Sequence, residues 1–415
     1  MNRLTRDRWL GVSTIPFESA HEYLWCLRRR ASRIRRSRVA HSRTDEASSR
    51  SHSLLIFSMY ARISRQASIR LSVEFSPSMR ALSIHDEVRA TPDMGGIMLV
   101  PVIDISALYE DDPKAWRRVE EKLYEAHSTV GFSILTGHGV PARMMDDLFE
   151  ASARFYALPL EQKLAYRFGA NLRGYLPLGA STLIRSTLGS ARMPNHSESF
   201  IVLNELDETL SEQWFRSAVG GHQIWPRDPK EFEIVVRRYR AAMTRVGEVI
   251  VQCFACMLGL SRDGLDGHFA TPNPILRLLH YPPLPDREAN QFGSAPHTDY
   301  GCLTFVAQDS VGGLQVRAAD GSWFDVPPIE HALVLNTGQV MEAWSSGALK
   351  ATPHRVINHP EKSRYSIGFF YDCGLNTRVV PVTSMNDALC DCMPQPKTYG
   401  EHLETMLRAN YAFTG

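Results

Sequence analysis

The chain has 415 residues, 44% of them apolar, and a formal charge of +1, a balance that allows a sizeable core in one large domain or in two to three smaller ones. No run reaches the eighteen apolar residues of a membrane span, and no secretory apolar stretch occupies the extreme N-terminus. Seven scattered cysteines, an odd number in a chain of this size, exclude a disulfide framework.

The near-neutral total hides an asymmetry. Residues 1–83 hold sixteen arginines, no lysine and six acidic residues, a net of +10, so the remaining 332 carry −9. The stretch from Arg28 to Arg38 is rich in Arg and Ser with little apolar periodicity, which suits no packed domain. Residues 1–97 are therefore expected to be a disordered leader, an organelle-type transit sequence, or upstream codons translated from a start set too early. The last is preferred, because Met94 and Met98 stand just before the body and lysine first appears at Lys114. A nucleic-acid-binding arm is the weaker option, since charge without interleaved aromatics is thin evidence.

Helices come first in the body. Asp112 and Pro113 make an N-cap followed by proline at the first helical position, and Trp116, Val119, Leu123 and Ala126 then recur at helical spacing. Residues 131–135 read as a buried strand. A second helix carries Met145, Leu148, Ser152 and Phe155 on one face and stops before Pro159. Asp228 and Pro229 open a long helix through Phe232, Val236, Tyr239, Met243, Val246 and Ile250 that ends near Gly259. These stripes form core and need no functional explanation. Cys253 and Cys256 lie in that apolar helix with no second pair to complete a metal site, and Cys390 and Cys392 are similarly isolated. Both pairs read as reduced thiols, consistent with a cytosolic setting.

From about residue 274 the pattern changes to short strands separated by Pro and Gly turns, which suggests a double-sheet jelly roll. Within it His297 and Asp299 stand two positions apart. If they lie on a strand, both side chains point to one face, about 7 Å apart at the backbone, close enough to share a metal ion. A lone pair of this kind is more often a surface turn or a buried, hydrogen-bonded histidine. Two histidines and one carboxylate on one face, however, leave open positions on iron(II) for oxygen and a co-substrate. The best third donor is His354, 55 residues past Asp299. The interval reads as strands at 303–306, 313–316, 323–326 and 332–335, separated by turns that include Asp320-Gly321 and Pro327-Pro328. Such an array can fold back and bring its two ends together.

Ten residues past His354 another strand begins. Alternation puts Arg364, Ser366, Gly368 and Phe370 on one face and Tyr365, Ile367 and Phe369 on the other. An inward arginine needs an anion, because its guanidinium stays protonated and is costly to bury unpaired. Its planar fork, with a hydroxyl beside it, suits a carboxylate. The commoner fate of an arginine is an outward ion pair in solvent, but the spacing from His354 favours the pocket. A closing helix is expected at 399–411.

The run His297-Thr298-Asp299, with His354 and Arg364-Tyr365-Ser366, resembles the iron(II)/2-oxoglutarate-dependent oxygenases of the isopenicillin N synthase-like superfamily. The resemblance extends through Leu276-Arg277-Leu278-Leu279-His280-Tyr281-Pro282-Pro283 and, towards the N-terminus, through the stretches beginning at Val100 and Gly131; it covers about residues 99–411. It implies that His297, Asp299 and His354 are the iron ligands. Arg364 and Ser366 would bind the distal carboxylate of 2-oxoglutarate, and Tyr281, otherwise a packed aromatic before a turn, would add a phenol hydrogen bond. Two departures stand out: the Asn-Tyr-Tyr-Pro of many plant members appears as Leu279-His280-Tyr281-Pro282, and the usual Gly-Asp in the strand before the distal histidine reads Gly338-Gln339. Neither touches the ligands or the arginine, but both weaken substrate analogies with the plant enzymes.

The expected fold class is α+β with a mainly β core, a double-stranded β-helix (jelly roll) flanked by N-terminal helices and one long helix. Residues 98–270 would form the N-terminal helical and strand region, 271–385 the catalytic core and 386–415 a C-terminal helical extension. The implied enzyme is an Fe(II)/2-oxoglutarate-dependent dioxygenase that uses oxygen to hydroxylate, desaturate or cyclise a small molecule, as in secondary metabolism. The alternatives are an oxidase on the same scaffold that consumes no 2-oxoglutarate, and a non-catalytic jelly-roll binding module. The substrate pocket should lie between the jelly roll and the N-terminal helices, with Arg173, Tyr175, Phe200 and His280 as candidate contacts that are equally readable as structural. A cytoplasmic monomer is expected, with no nucleic-acid or membrane partner.

Overall fold

The computed structural model describes residues 100–169, 172–181, 193–205, 214, 217, 219–381 and 397–410. The expectations for residues 1–97, for Cys390 and Cys392 and for the end of the last helix at Tyr411 lie outside the described residues. Among the described residues no helix is long and apolar enough to cross a membrane.

Strand β1 (Val102–Asp104) leads to helix α1 (Pro113–Thr129). Asp112 caps that helix as expected, its Oδ1 accepting from the backbone N–H groups of Lys114 and Ala115 at 2.9 and 3.1 Å. Strand β2 (Phe132–Thr136), α2 (Ala142–Tyr156), the short α3 (Leu160–Leu164), β3 (Gly174–Leu176) and β4 (Glu198–Val202) follow. The long helix α4 spans Phe232–Met257, so it starts three residues later than Asp228-Pro229 suggests. The Phe232 N–H donates to the Pro229 carbonyl, a tighter turn that leads into the α-helical bonding. At its other end Gly259 takes φ +83°, the left-handed stop that glycine adopts without a Cβ penalty.

The rest is mainly β: β5 (Asn273–Tyr281), β6 (Ser294–His297), β7 (Leu303–Gln308), β8 (Leu314–Arg317), β9 (Trp323–Asp325), β10 (Leu333–Thr337), β11 (His354–Val356) and β12 (Arg364–Asp372). Two helices complete it, α5 (Gln339–Trp344) and α6 (Tyr399–Asn410). The Gly338-Gln339 pair therefore sits past the end of its strand: Gly338 is the N-cap of α5. The reason is close packing, since a Cβ on Gly338 would collide with the Gly301 carbonyl.

The strands form an eight-stranded sheet, in the order β1-β2-β10-β7-β12-β5-β4-β3, and a four-stranded sheet, β6-β11-β8-β9. Strands from both sides of residue 270 share the larger sheet. All its pairings are antiparallel except β1 with β2.

Period-two alternation sends the two faces of the large sheet into two different cores. Leu135, Phe305, Leu335, Ile367 and Phe369 join a large cluster with the helical residues Leu123, Leu148, Phe155, Val236 and Ile250. Ile134, Val306, Val334 and Tyr281 turn the other way and meet Leu314, Val316 and Val356 of the smaller sheet. The jelly-roll interior is this second layer, and residues that alternate into it are candidates for chemistry.

Candidate active site

His297, at the end of β6, and His354, at the start of β11, are directly opposite each other in an antiparallel pair, which brings their ring centroids to 4.3 Å. Asp299 lies just beyond the strand rather than on it. Its loop is pinned by the Gln339 N–H, which donates to the Asp299 carbonyl at 2.9 Å, and by Gln339 Nε2, which donates to Thr298 Oγ1 at 2.8 Å. The carboxylate still converges on the histidines: Asp299 Oδ1 is 3.8 Å from both His297 Nε2 and His354 Nε2. One ligand atom from each residue lies within 4.8 Å of the other two.

Electrostatics favour the forms that a metal needs. Burial, with His354 adding to it, holds the His297 imidazole below its ordinary 6.5, so it is neutral. Burial also opposes ionisation of Asp299, yet His354, His297 and hydrogen bonds from Asn336 and Thr304 together bring its carboxyl below the usual range. The Ala295 carbonyl lies 2.8 Å from His297 Nδ1 and the Thr352 carbonyl 3.2 Å from His354 Nδ1. A hydrogen bond donated by Nδ1–H to each carbonyl leaves Nε2 as the atom free to bind a metal. Asn336 Nδ2 donates to Asp299 Oδ2 at 2.7 Å and orients the carboxylate. Two imidazoles and one carboxylate on one side are a donor set that fits iron(II) with open positions.

A second feature stands on β12. Arg364 is 1% exposed and Ser366 2%, on the face that turns towards the smaller sheet. Arg364 Nη2 donates to Gln308 Oε1 at 3.0 Å, while Nε and Nη1 are buried and find no hydrogen-bond partner. Tyr281 pairs with Arg364 across β5 and β12, and the guanidinium lies 4.8 Å from the centre of its ring. Two unmatched, buried guanidinium nitrogens fit the carboxylate of a bound anion such as 2-oxoglutarate.

A cleft whose empty space, counted out to open solvent, is about 840 Å³ reaches His297 and Asp299; an apolar cleft with a few convergent polar groups is the kind of site that holds a small molecule. Arg364, Ser366, Tyr281 and His354 are not among its lining residues. Its walls come from β4, β5, β12 and the segment between α3 and β3, with Phe168, Ile201 and Phe370 among the apolar contributors, and Tyr399, Leu403 and Leu407 of α6 close one side. The expectation that the last helix covers the pocket agrees with this.

None of the four suggested substrate contacts lines the cleft. Arg173 is fully buried, giving its guanidinium to the carbonyls of Asn204, Val219 and Gly220. Phe200 packs against Phe155 and Phe232. Tyr175 and His280 both bond Glu198. The residues that do face the site, and that motif reasoning missed, are Asn336, Gln308 and Arg277. Each is a polar residue at an inward position of an apolar strand, the same signal that singled out Arg364.

Residues 272–372 match the family described as the 2OG-Fe(II) oxygenase superfamily, and residues 100–228 match the N-terminal region described as non-haem dioxygenase in morphine synthesis. The chain is 31% identical to clavatol oxidase claD of Penicillium crustosum over 75% of this chain and 97% of that protein. The chain belongs to the 2OG-Fe(II) oxygenase superfamily. A second relative, the 2-oxoglutarate-dependent dioxygenase tropC of Talaromyces stipitatus, is 32% identical over 75% of this chain and 95% of its own length. The crystal structure of a full-length Neurospora crassa protein in complex with alpha-KG and thymine matches with a TM-score of 0.65 and 25% identity, covering 76% of this chain and 98% of that one. As a member of this superfamily the chain is a non-haem iron(II) dioxygenase that couples decarboxylation of 2-oxoglutarate to oxidation of a small molecule.

Proposed function

We propose that His297, Asp299 and His354 hold the iron, that Arg364 and Ser366 grip the distal carboxylate of 2-oxoglutarate with Tyr281 beside them, and that the substrate enters through the cleft. The observation that carries this reading is the convergence of three ligand atoms, remote in sequence, to within 4.8 Å of one another. The buried, half-matched Arg364 supports the second part.

When bound together, iron(II) and 2-oxoglutarate supply an oxidative decarboxylation to succinate and carbon dioxide that, with oxygen, provides the oxidising power for a C–H bond. The chain's own residues bind and aim. Arg364 offers two charge-assisted hydrogen bonds to one end of the co-substrate and so fixes where its other end falls. Asn336 holds the Asp299 carboxylate in place, and the apolar cleft walls position the substrate carbon. The Penicillium relative is named a clavatol oxidase, and the Neurospora protein is seen with thymine; here too the substrate is read as a small molecule that is hydroxylated, desaturated or cyclised. We read the enzyme as a cytoplasmic monomer that needs neither nucleic acid nor a membrane; Cys253, Cys302 and Cys373 carry no disulfide, as a reducing compartment requires.

The test is anaerobic loading with iron(II) and 2-oxoglutarate followed by exposure to air. Succinate release that requires both, together with loss of iron uptake in His297→Ala and of turnover in Asp299→Ala, is the expected outcome. Oxygen uptake without succinate would point to an oxidase on the same scaffold. Failure of the wild-type protein to take up iron would leave only a binding module.

A further inference from the structure

One row of side chains lies behind the metal ligands. Phe132 on β2, Asn336 on β10 and Thr304 on β7 are direct cross-strand partners, and all three are buried. Alternation puts the row on the face where Ile134, Val334 and Val306 turn towards the smaller sheet. Phe132 packs edge-to-face with the His354 ring, their centroids 5.4 Å apart and their planes at 71°. Beside it Asn336 Nδ2 donates to Asp299 Oδ2 at 2.7 Å, and the Thr304 side chain adds a hydrogen bond to the same carboxylate. An amide that is 1% exposed on an apolar strand is costly unless matched, and a carboxylate can only accept, so the Asn336 NH2 has to face it.

The contact separates the two oxygens of Asp299. Oδ1 is 3.8 Å from the Nε2 of each histidine, while Oδ2 is held by the amide. The backbone of Asp299 is pinned separately, by the Gln339 N–H on its carbonyl, so the Asn336 bond acts mainly on the rotation of the carboxylate. That rotation matters because a carboxylate can bind one ion through one oxygen or through both. Octahedral iron(II) with three protein donors keeps three positions; a chelating 2-oxo acid takes two and leaves one. A second oxygen from Asp299 would fill it.

Resting on the site assignment above, we propose that Asn336 is a positioning residue that confines Asp299 to binding through Oδ1 alone, and so keeps one metal position open for oxygen beside the co-substrate. Thr304 assists from the facing strand. The usual result of losing a hydrogen-bond partner of a metal ligand is a loss of metal affinity of about 10- to 100-fold. Here the expectation runs the other way: without the amide, Oδ2 is free to become an extra ligand, so metal binding is kept and an open position is lost.

The test loads the full-length protein with manganese(II), an octahedral stand-in for iron(II) whose magnetic resonance broadens with each bound water in water enriched in the magnetic oxygen isotope. Asn336→Leu, which keeps the shape and loses the donor, should show one bound water fewer than wild type, both alone and with saturating 2-oxoglutarate. Its affinity for manganese(II), titrated in parallel, should be retained or raised. Thr304→Val should move the water count the same way by less, and it carries the test if Asn336→Leu does not fold. A count equal to that of wild type, or a loss of metal affinity of about tenfold or more, overturns the inference; the latter would mean that Asn336 only aims the carboxylate at the metal. Failure of the wild-type protein to bind manganese(II), or to lose bound water when 2-oxoglutarate is added, would instead sink the site assignment, so the two failures are distinct.

Discussion

At Arg364 one guanidinium nitrogen is matched by Gln308 and two are not, so the cost of burying the charge is offset only when an anion docks. Arg364→Ala should weaken 2-oxoglutarate binding by about 3 kcal/mol or more, the usual penalty for truncating one partner of a buried charge pair. Iron uptake, measured in the same anaerobic titration without co-substrate, should be retained; an equal loss of iron would mean that Arg364 supports the fold instead. This residue was legible in the sequence because a charged side chain interrupts one face of an apolar alternation. The convergence of His297, Asp299 and His354 was legible through spacing and resemblance. The same signal as at Arg364 marks Gln308 and Asn336 as inward polar residues but not what they bind, because their roles exist only across strands: Gln308 faces Ser366 from β7, and Asn336 reaches Asp299 from β10, 37 residues away in the chain.

At the level of elements, four secondary structures meet on one buried carboxylate. Glu198 of β4 bonds Lys163 of α3 at 2.7 Å and His280 of β5 at 2.8 Å, and it also accepts from the Tyr175 hydroxyl of β3. His280 continues to Ser363, just before β12, at 3.1 Å. Glu198 and Lys163 are both buried, so Glu198→Ala would strand an ammonium ion and should cost about 3 to 5 kcal/mol in urea unfolding. Burial tends to raise the Glu198 carboxyl, but hydrogen bonds from His280, Lys163 and Tyr175 outweigh it and hold the group below its ordinary 4.5. A lowered carboxyl stabilises the fold fully above that ordinary value and loses its contribution as pH falls through the folded one. The gap in stability between wild type and Glu198→Ala should therefore be widest near neutrality and narrow on acidification below pH 4.5; a constant gap would mean that packing, not charge, makes the difference. Strand and helix positions were readable here, since α1 and β7 to β10 begin within a residue of the periodic pattern. The network was not, because Glu198 lies in a five-residue strand that is buried throughout and its partners come from α3, β3 and β5.

On the scale of the whole molecule, the proposed site joins two sheets. His297 and His354 belong to the four-stranded sheet, while Arg364, Ser366 and Tyr281 belong to the eight-stranded one. The layer between them holds few large side chains beyond Phe132, Tyr281 and the Val and Leu residues around them, whereas the helical side of the large sheet is packed with Phe155, Phe200, Phe232, Phe254 and Phe369. Iron and 2-oxoglutarate, bound together, would add contacts where apolar packing is thinnest and would tie one sheet to the other. Ligands that bind only the folded state raise its stability by about 2.7 kcal/mol at a hundred times their Kd. Anaerobic thermal melts should therefore show iron(II) and 2-oxoglutarate together raising Tm more than the sum of their separate effects, because in the proposed site the co-substrate contacts both the metal and Arg364. Asp299→Ala should lose the iron shift and the synergy, and Arg364→Ala should lose the synergy alone. Additive shifts in the wild-type protein would mean that the two ligands bind independently, and the proposal that one site spans both sheets would fail.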